Sequence, residues 1–168
     1  MKTNSIIFDS DICNWNRKTS TFDKHIWNKN KIAILIENEY GIRYGGFIYS
    51  QIDKYSVLNE EICQYECIID PKSFIFTFKD NKPLKFELKE EKKNDSIFYL
   101  CKSDEIPLFG IGKPEEYEIW IGKKNIKDFC EQTENSNYEF KGNKNALIGI
   151  SGKENKFDIK RFIVIQFN

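Results

Sequence analysis

Hydrophobic and polar residues alternate with a period of two along much of the chain. The clearest example is residues 84–88, in which Leu84, Phe86 and Leu88 alternate with lysine and glutamate. Successive side chains of a β-strand point to opposite faces, so this pattern predicts a strand with one face in a core. Seven further segments of similar character are residues 32–36, 42–50, 73–78, 96–100, 117–121, 145–150 and 161–167. The sequence therefore predicts a mainly β protein.

The segments between the predicted strands are short and polar, which favours antiparallel connections over helical crossovers. Residues 79–83 (KDNKP), for example, have the length and the turn-forming residues of a hairpin loop. The continuous apolar run at residues 162–165 suits a central strand that is buried on both faces. We predict a two-sheet antiparallel β-sandwich, mainly β within the α+β class, with a few peripheral helices.

Two segments have helical character. Residues 19–28 offer capping hydroxyl groups and place Phe22 four residues before Ile26, so that both side chains share one face of a short helix. Residues 57–65 are predicted to form a further helical turn or two. Both helices would lie at the periphery of the sandwich.

The composition limits the classes of partner. The 168 residues suit one domain spanning residues 1–168 with a core of ordinary size. Lysine plus arginine and aspartate plus glutamate both number 26, so the net charge is zero. Only three of the basic residues are arginines, namely Arg17, Arg43 and Arg161. Few side chains can therefore make forked contacts with phosphates or bases, and we expect no nucleic-acid partner.

The first residues turn acidic before an apolar segment can build, and no apolar run approaches the thickness of a bilayer. We therefore expect a cytoplasmic protein without membrane insertion. The five cysteines form an odd set that predicts free thiols in a reducing compartment, without a disulfide framework. We expect Cys13, Cys63, Cys67, Cys101 and Cys130 to be small buried apolar residues.

Motifs that carry chemistry are incomplete in this chain. His25, the sole histidine, has no nucleophile motif beside it, and Cys63 and Cys67 lack a second pair of zinc ligands. Asp9 and Asp11 resemble the start of a calcium loop, but its required glycine is missing, and a local turn is the better interpretation. The glycines of residues 109–116 (FGIGKPEE) precede a strand instead of the helix that phosphate binding requires. We therefore predict no cofactor and no metal.

Two adjacent glycines interrupt an otherwise strand-like run at residues 42–52 (IRYGGFIYSQI). Glycine weakens a strand, so the pair needs a geometric or functional reason. Gly45 and Gly46 are predicted to form a bulge, or a flat spot where a neighbouring strand, helix or aromatic ring packs against bare backbone. The alternative is an exposed backbone that touches a partner or a phosphate.

Taken in order, these segments resemble a TLDc domain, the module of the oxidation-resistance protein family. The motifs that carry the resemblance are residues 7–10 (IFDS), 44–47 (YGGF), 70–76 (DPKSFIF), 108–110 (LFG) with the strand around Ile119 and Trp120, and 157–160 (FDIK) with the terminal strand 161–167. Together they span nearly the whole chain. The short glycine turn at Gly110–Gly112 and the closing residues 163–166 (IVIQ) mark the chain as a divergent member.

The resemblance implies an antiparallel two-sheet sandwich with flanking helices, which agrees with the strand pattern. It also implies a non-enzymatic protein-interaction module, associated with oxidative stress, whose partner is the vacuolar proton ATPase or one of its subunits. No catalytic site comes with the family. The family-motif residues, to which we assign a structural role, are Tyr44, Gly45, Gly46, Phe47, Phe109 and Gly110.

Two other classes of function stay open at this point. One is an enzyme or small-ligand binder with a cleft at the edge of the sandwich, in which Glu37, Glu118 or Cys130 would be the working group. A pocket that joined a carboxylate or a thiol to His25 would favour it. The other is peroxide scavenging by an exposed cysteine of low pKa. The sequence does not decide the oligomeric state.

Overall fold

The computed structural model of the chain describes residues 4–55, 58–59, 64–65, 67–95, 97–102, 107–113, 116–126, 128–130, 136–142, 147 and 156–168. The strands among them are β1 (Ser5–Asp9), β2 (Ile32–Asn38), β3 (Arg43–Ile48), β4 (Leu58–Asn59), β5 (Gln64–Tyr65), β6 (Ile68–Ile69), β7 (Phe74–Lys79), β8 (Lys82–Glu87), β9 (Ile97–Leu100), β10 (Pro107–Lys113), β11 (Glu116–Gly122), β12 (Asp128–Cys130), β13 (Lys156–Phe157) and β14 (Ile159–Gln166). One α-helix, α1 (Phe22–Ile26), and one 3-10 turn, Glu90–Lys92, accompany them.

The strands form two six-stranded sheets and a two-stranded ribbon. The first sheet has the order β1-β14-β2-β3-β7-β8, and the second has the order β13-β12-β11-β10-β9-β6. Neighbouring strands pair antiparallel throughout. The predicted mainly β fold with two antiparallel sheets is therefore confirmed. Seven of the eight predicted strand segments each overlap a strand, and the eighth, residues 145–150, lies outside the described residues except for Leu147.

The helix predictions fared differently. The first helix is present but covers only Phe22–Ile26, and both of these end residues are fully buried. The Ser20 hydroxyl accepts a hydrogen bond from the Phe22 amide at 3.2 Å, whereas Thr21, at the N-cap position, makes no side-chain cap hydrogen bond. The helix predicted over residues 57–65 is wrong, because β4 and β5 pair antiparallel there. A segment of this length cannot hold a helix by local propensity alone, and strand pairing prevails.

The hairpin between β7 and β8 has the tight turn that its sequence predicts. Asp80 and Asn81 form a two-residue loop in which both residues have positive φ, at 52° and 60°. Aspartate and asparagine tolerate this region better than other residues with side chains. The turn fixes the register in which Phe78 faces Pro83.

Aromatic side chains fill the space between the two sheets. The ring of Phe162 on β14 lies 5.1 Å from Phe8 and 6.3 Å from Phe109 of the second sheet, measured between centroids. Phe22 of α1 stacks on Phe109 at 5.3 Å. All four rings are essentially inaccessible to solvent. Because each aromatic ring contributes a large apolar area, this cluster joins the helix and both sheets.

Candidate functional site

Strand register divides the first sheet into a face toward the core and a face toward solvent. Ile34, Gly46 and Ile75 lie opposite one another on β2, β3 and β7, and all three point into the core. Their neighbours along each strand therefore point outward. The outward residues form three rows across the sheet, namely Arg161, Glu37, Arg43, Phe78 and Pro83; Ile163, Leu35, Gly45, Phe76 and Lys85; and Ile165, Ala33, Phe47, Phe74 and Glu87.

Aromatic rings dominate one half of this outer face. Phe47 stacks on Phe74 with centroids 5.2 Å apart and also contacts Tyr49 at 4.6 Å and Phe167 at 5.4 Å. The Nζ atom of Lys85 lies 4.3 Å from the centroid of Phe74, within the range of a cation–π contact. We call Phe47, Tyr49, Phe74, Phe76, Phe78 and Phe167 the outer aromatic cluster. It is continuous with the aliphatic residues Leu35, Ile163 and Ile165.

The outer aromatic cluster is partly open to solvent. Tyr49 is 40% exposed, and Phe47, Phe74, Phe78 and Phe167 are each half-buried. In an ordinary sandwich the outward positions of a sheet are polar, so a contiguous apolar face of this kind needs an explanation. Large exposed apolar patches commonly mark interaction surfaces, and aromatic residues are enriched in the centres of such surfaces.

The two glycines of β3 serve opposite faces of the sheet. A Cβ atom on Gly45 would lie 1.8 Å from the carbonyl oxygen of Ile34 and 3.1 Å from Cζ of Phe76, whose ring crosses the glycine on the outer face. A Cβ atom on Gly46 would lie 2.4 Å from Cδ1 of Ile111, which belongs to the second sheet. Pairing of β3 with both neighbours continues without a shift through the glycines, so the bulge alternative is wrong. The pair forms a flat spot that receives a ring on one side and an isoleucine on the other.

A row of charges borders the apolar part of the outer face. Both carboxylate oxygens of Glu37 are engaged: Oε1 accepts from Lys160 Nζ at 2.6 Å, and Oε2 accepts from Arg43 Nε at 2.8 Å. Hydrogen bonds from Lys160 and then Arg43 hold the pKa of Glu37 below its ordinary value. Asp9 accepts a forked pair of hydrogen bonds from Arg161 at 2.6 and 3.2 Å, and this arginine lowers the pKa of Asp9. Both carboxyl groups are therefore ionised at neutral pH.

A groove of about 490 Å³ lies between the charged row and the apolar rows. Leu35, Phe78 and Ile163 provide apolar walls, and among the described residues Glu37, Arg43 and Arg161 are the charged ones that line it. Its size falls in the range of sites that hold a small ligand or a few side chains of a partner, about 300–1,000 Å³. The groove is thus a second feature of the outer face, next to the outer aromatic cluster.

The structure does not bring the proposed catalytic groups together. Glu37 lies on the outer face of the first sheet, whereas Glu118 lies on β11 of the second sheet, next to the core residue Ile119 and therefore on that sheet's other face. Oε1 of Glu118 accepts from the Ser136 hydroxyl at 2.9 Å and from the Asn137 amide at 2.7 Å. The Glu118 carboxylate thus holds residues 136–137 against β11 through hydrogen bonds. The side chain of Cys130 lies outside the described residues.

His25 does not line the groove. Its ring lies edge-on to Phe8 at 5.5 Å, on the short helix α1. The expected burial of the cysteines is wrong for Cys13, Cys67 and Cys101, which are only half-buried. Burial nevertheless raises the pKa of the Cys67 thiol, which lowers its thiolate fraction at neutral pH. Peroxide scavenging by this cysteine is therefore disfavoured.

Residues 70–73 (DPKS) connect the chain after β3 to the turn before β7. Oδ2 of Asp70, which is buried, accepts hydrogen bonds from the amides of Tyr49 and Ser50, and Oδ1 accepts from the Lys72 amide at 3.2 Å. The chain after β3 is thereby fixed to the turn before β7. This clamp sets the position at which Tyr49 joins the outer aromatic cluster.

The remaining family-motif residues lie in the interior. Tyr44 is fully buried on the core face of β3, and Phe109 is fully buried on β10, stacked on Phe98 and Phe22. Gly110 lies between Tyr99 of β9 and Trp120 of β11 in the second sheet. None of these three residues lies on the outer face of the first sheet.

Sequence reasoning identified the strands of the outer face but not the face itself. The alternation of Phe74, Phe76 and Phe78 was the available signal, because these residues must share one side of a strand. Which side faces solvent depends on the packing of the two sheets.

Within the described part of the chain, no group of three or more potential ligands lies close enough to hold a metal ion. In that same part, no helix has the length and apolar character of a membrane span.

The comparison with family models identifies one family. The model of the TLDc domain matches residues 7–167, which is nearly the whole chain. The match includes every strand of the first sheet apart from the first two residues of β1. A comparison with curated proteins returns no match.

Proposed function

Because the chain belongs to the TLDc domain family, we propose that it is a non-catalytic protein-interaction module that binds its partner through the outer face of the first sheet. The single observation that carries this proposal is the outer aromatic cluster. Its rings are ordered by contacts with one another, yet all of them except the buried Phe76 remain partly accessible. Rigid aromatic side chains of this kind lose little conformational entropy on binding and often supply most of the binding energy.

The preorganisation of the aromatic rings on the outer face supports the same proposal. Rings that are already packed against each other and against Lys85 are held in place before a partner arrives. Gly45 allows Phe76 to lie flat, which keeps the centre of the face shallow. A shallow apolar centre with charged residues at its border has the layout of a protein interface.

The family resemblance suggests the identity of the partner. We propose that it is the vacuolar proton ATPase or one of its stalk subunits, and that binding contributes to protection against oxidative stress. The proposed effect is on assembly of the pump and not on a chemical step, since the two candidate carboxylates, Glu37 and Glu118, are engaged in ion pairs and a backbone hydrogen bond.

Two tyrosines provide a matched test. Tyr49 belongs to the outer aromatic cluster and is 40% exposed, whereas Tyr40 lies in the turn after β2 and is 43% exposed. The chain would be used as bait in native cell extract at low salt, with nucleotide varied, and captured proteins would be identified by mass spectrometry. We expect pump subunits among them, with Tyr49→Ala reducing their capture and Tyr40→Ala leaving it unchanged.

The outcomes separate the parts of the proposal. Equal capture by both variants would show that the outer aromatic cluster is not the binding surface. Capture of another protein that depends on Tyr49 would retain the interaction module and remove the proton pump as partner. Turnover of a substrate by the purified protein would overturn the non-catalytic assignment.

A further inference from the structure

Two of the three arginines of the chain lie at the groove on the outer face. Arg43 and Arg161 line it, whereas the third arginine, Arg17, does not, and the remaining 23 of the 26 basic residues are lysines. Arginine differs from lysine in that its planar guanidinium can donate two parallel hydrogen bonds to one carboxylate. In a chain that otherwise uses lysine, this placement gives the groove a distinct recognition chemistry.

The carboxylates of the charged row are more covered than its cations. Side chains of Arg43 and Arg161 are 59% and 50% exposed, against 20% for Glu37 and 10% for Asp9. Both oxygens of Glu37 are already engaged by Arg43 and Lys160. Asp9 and Asp11 pair with Arg161, and Glu37 pairs with Arg43 and Lys160, so the charges of the row balance. The exposed guanidinium of Arg43 is the charged group that meets an approaching molecule.

Arg43 retains unused donors. Its contact with Glu37 is made by Nε, and within the described residues its two terminal amino groups donate to no protein acceptor. Arg161, by contrast, commits Nε and one terminal nitrogen to Asp9. Arg43 is therefore the side chain best able to receive a carboxylate from outside, beside the apolar walls of Leu35 and Phe78.

From this geometry, and resting on the proposed function, we infer that the groove docks an acidic amphipathic segment of the partner protein. An apolar side chain of that segment would enter between Leu35, Phe78 and Ile163, and a neighbouring aspartate or glutamate would pair with Arg43. The uncommitted terminal donors of Arg43 pair with a carboxylate and not with an ammonium group, so they select an acidic segment over a basic one. The groove continues into the apolar rows of the sheet, so a peptide can remain in contact beyond it, which a small amphipathic acid cannot do.

The test uses synthetic peptides as probes with the full chain. Three labelled peptides of equal length would be compared by fluorescence anisotropy: one alternating leucine with glutamate, one alternating leucine with lysine, and one alternating serine with glutamate. We expect measurable binding of the first peptide alone. Its affinity should fall about tenfold in Arg43→Glu and decrease with added salt, because the arginine and the carboxylate attract across a partly desolvated site.

Matched variants make the result specific. Arg17→Glu reverses the charge of an exposed arginine outside the groove and should leave binding unchanged. Arg43→Gln removes the charge without placing a second carboxylate next to Glu37, and circular dichroism would verify that each variant is folded. Leu35→Lys, which blocks an apolar wall, should abolish binding of the leucine–glutamate peptide.

Each other outcome overturns the inference. Equal binding by wild type and Arg43→Gln, or binding of the leucine–lysine peptide as well, would show that Arg43 does not select an acidic segment. Binding of decanoate but of no peptide would assign the groove to small amphipathic acids. Self-association that Arg43→Glu abolishes would identify a second copy of the chain as the occupant. Partner capture lost in Tyr49→Ala but retained in Arg43→Glu would leave the proposed function standing without this docking site.

Discussion

The ring of Phe76 lies across the backbone of Gly45, with its Cζ atom 3.1 Å from the place that a Cβ atom would occupy. Residue 45 and residue 76 are directly opposed on β3 and β7, so both point to the same face of the sheet. The glycine therefore determines how flat the aromatic surface is, while its neighbour Gly46 determines how closely the two sheets approach.

Substitution of either glycine should destabilise the fold, and Gly45 should be the more sensitive position. An alanine at residue 45 meets the Ile34 carbonyl oxygen, which is backbone, whereas a side chain at residue 46 meets the movable end of Ile111. We expect Gly46→Val to cost about 1 to 3 kcal/mol and Gly45→Ala to cost about 3 kcal/mol or more. Urea unfolding of the purified variants would measure both free energies.

Two results would contradict this account of the glycines. An unchanged unfolding midpoint in Gly45→Ala would mean that the strand can relax away from Ile34. An unchanged midpoint in Gly46→Val together with loss of partner binding would assign the glycine pair to a contact surface instead of to the architecture.

The clamp formed by Asp70 should be sensitive to loss of one acceptor. Asp70→Asn replaces a carboxylate oxygen with an amide that cannot accept hydrogen bonds from backbone amides, so at least one buried donor loses its partner. The expected cost is about 1 to 3 kcal/mol of unfolding free energy. Asp80→Asn is the matched control, because Asp80 lies in an exposed turn with positive φ, which asparagine accommodates. Equal stability of the two variants would show that the Asp70 clamp is dispensable.

The Asp9–Arg161 pair should make stability depend on pH in the acid range. The hydrogen bond from Arg161 lowers the pKa of Asp9 in the folded state, so its contribution is complete above the ordinary carboxyl pKa of about 4 and disappears as the pH falls through the lower folded value. Arg161→Met should therefore be less stable at neutral pH and should lose stability less steeply below about pH 4. Urea unfolding at a series of pH values would give the slope of unfolding free energy against pH for the wild type and for Arg161→Met. Parallel slopes would mean that the pair is not coupled to folding.

Removal of His25 should leave binding intact. The ring contacts Phe8 edge-on and does not line the groove. We therefore expect His25→Ala to lower the free energy of unfolding by about 0.5 to 1.5 kcal/mol and to leave partner capture unchanged. The bait experiment with native extract, at matched protein abundance, would decide this. Complete loss of capture by a folded His25→Ala protein would show that His25 takes part in partner binding.

The strands were predictable because their signals are local. Alternation at Leu84, Phe86 and Leu88 depends only on which face is buried, and the loop at Asp80 and Asn81 depends on tolerance of positive φ. The helix predicted for residues 57–65 failed because a short segment has little helical stability of its own, so pairing of β4 with β5 prevailed. The expected burial of Cys13, Cys67 and Cys101 rested on a general tendency that half-exposed positions need not follow.

The candidate site could not be predicted because it depends on register. Arg161 is remote in sequence from Glu37 and Arg43, and the three form a row only because β3, β2 and β14 pair in one register. A shift of one residue would turn each side chain to the other face. Sequence alone thus indicates aromatic strands and scarce arginines, but not their joint placement at one groove.

The position of β14 has a consequence for synthesis of the protein on the ribosome. β14 lies between β1 and β2 in the first sheet, although β1 and β2 precede it by most of the chain. While the nascent chain grows, β1 has no strand to pair with and the apolar edge of β2 stays open until residues 159–166 emerge. Contacts of such long sequence separation close slowly and leave strand edges available to other chains. The first sheet is therefore completed only after residues 159–166 have been translated, and until then the unpaired strands offer an edge that chaperones can cover.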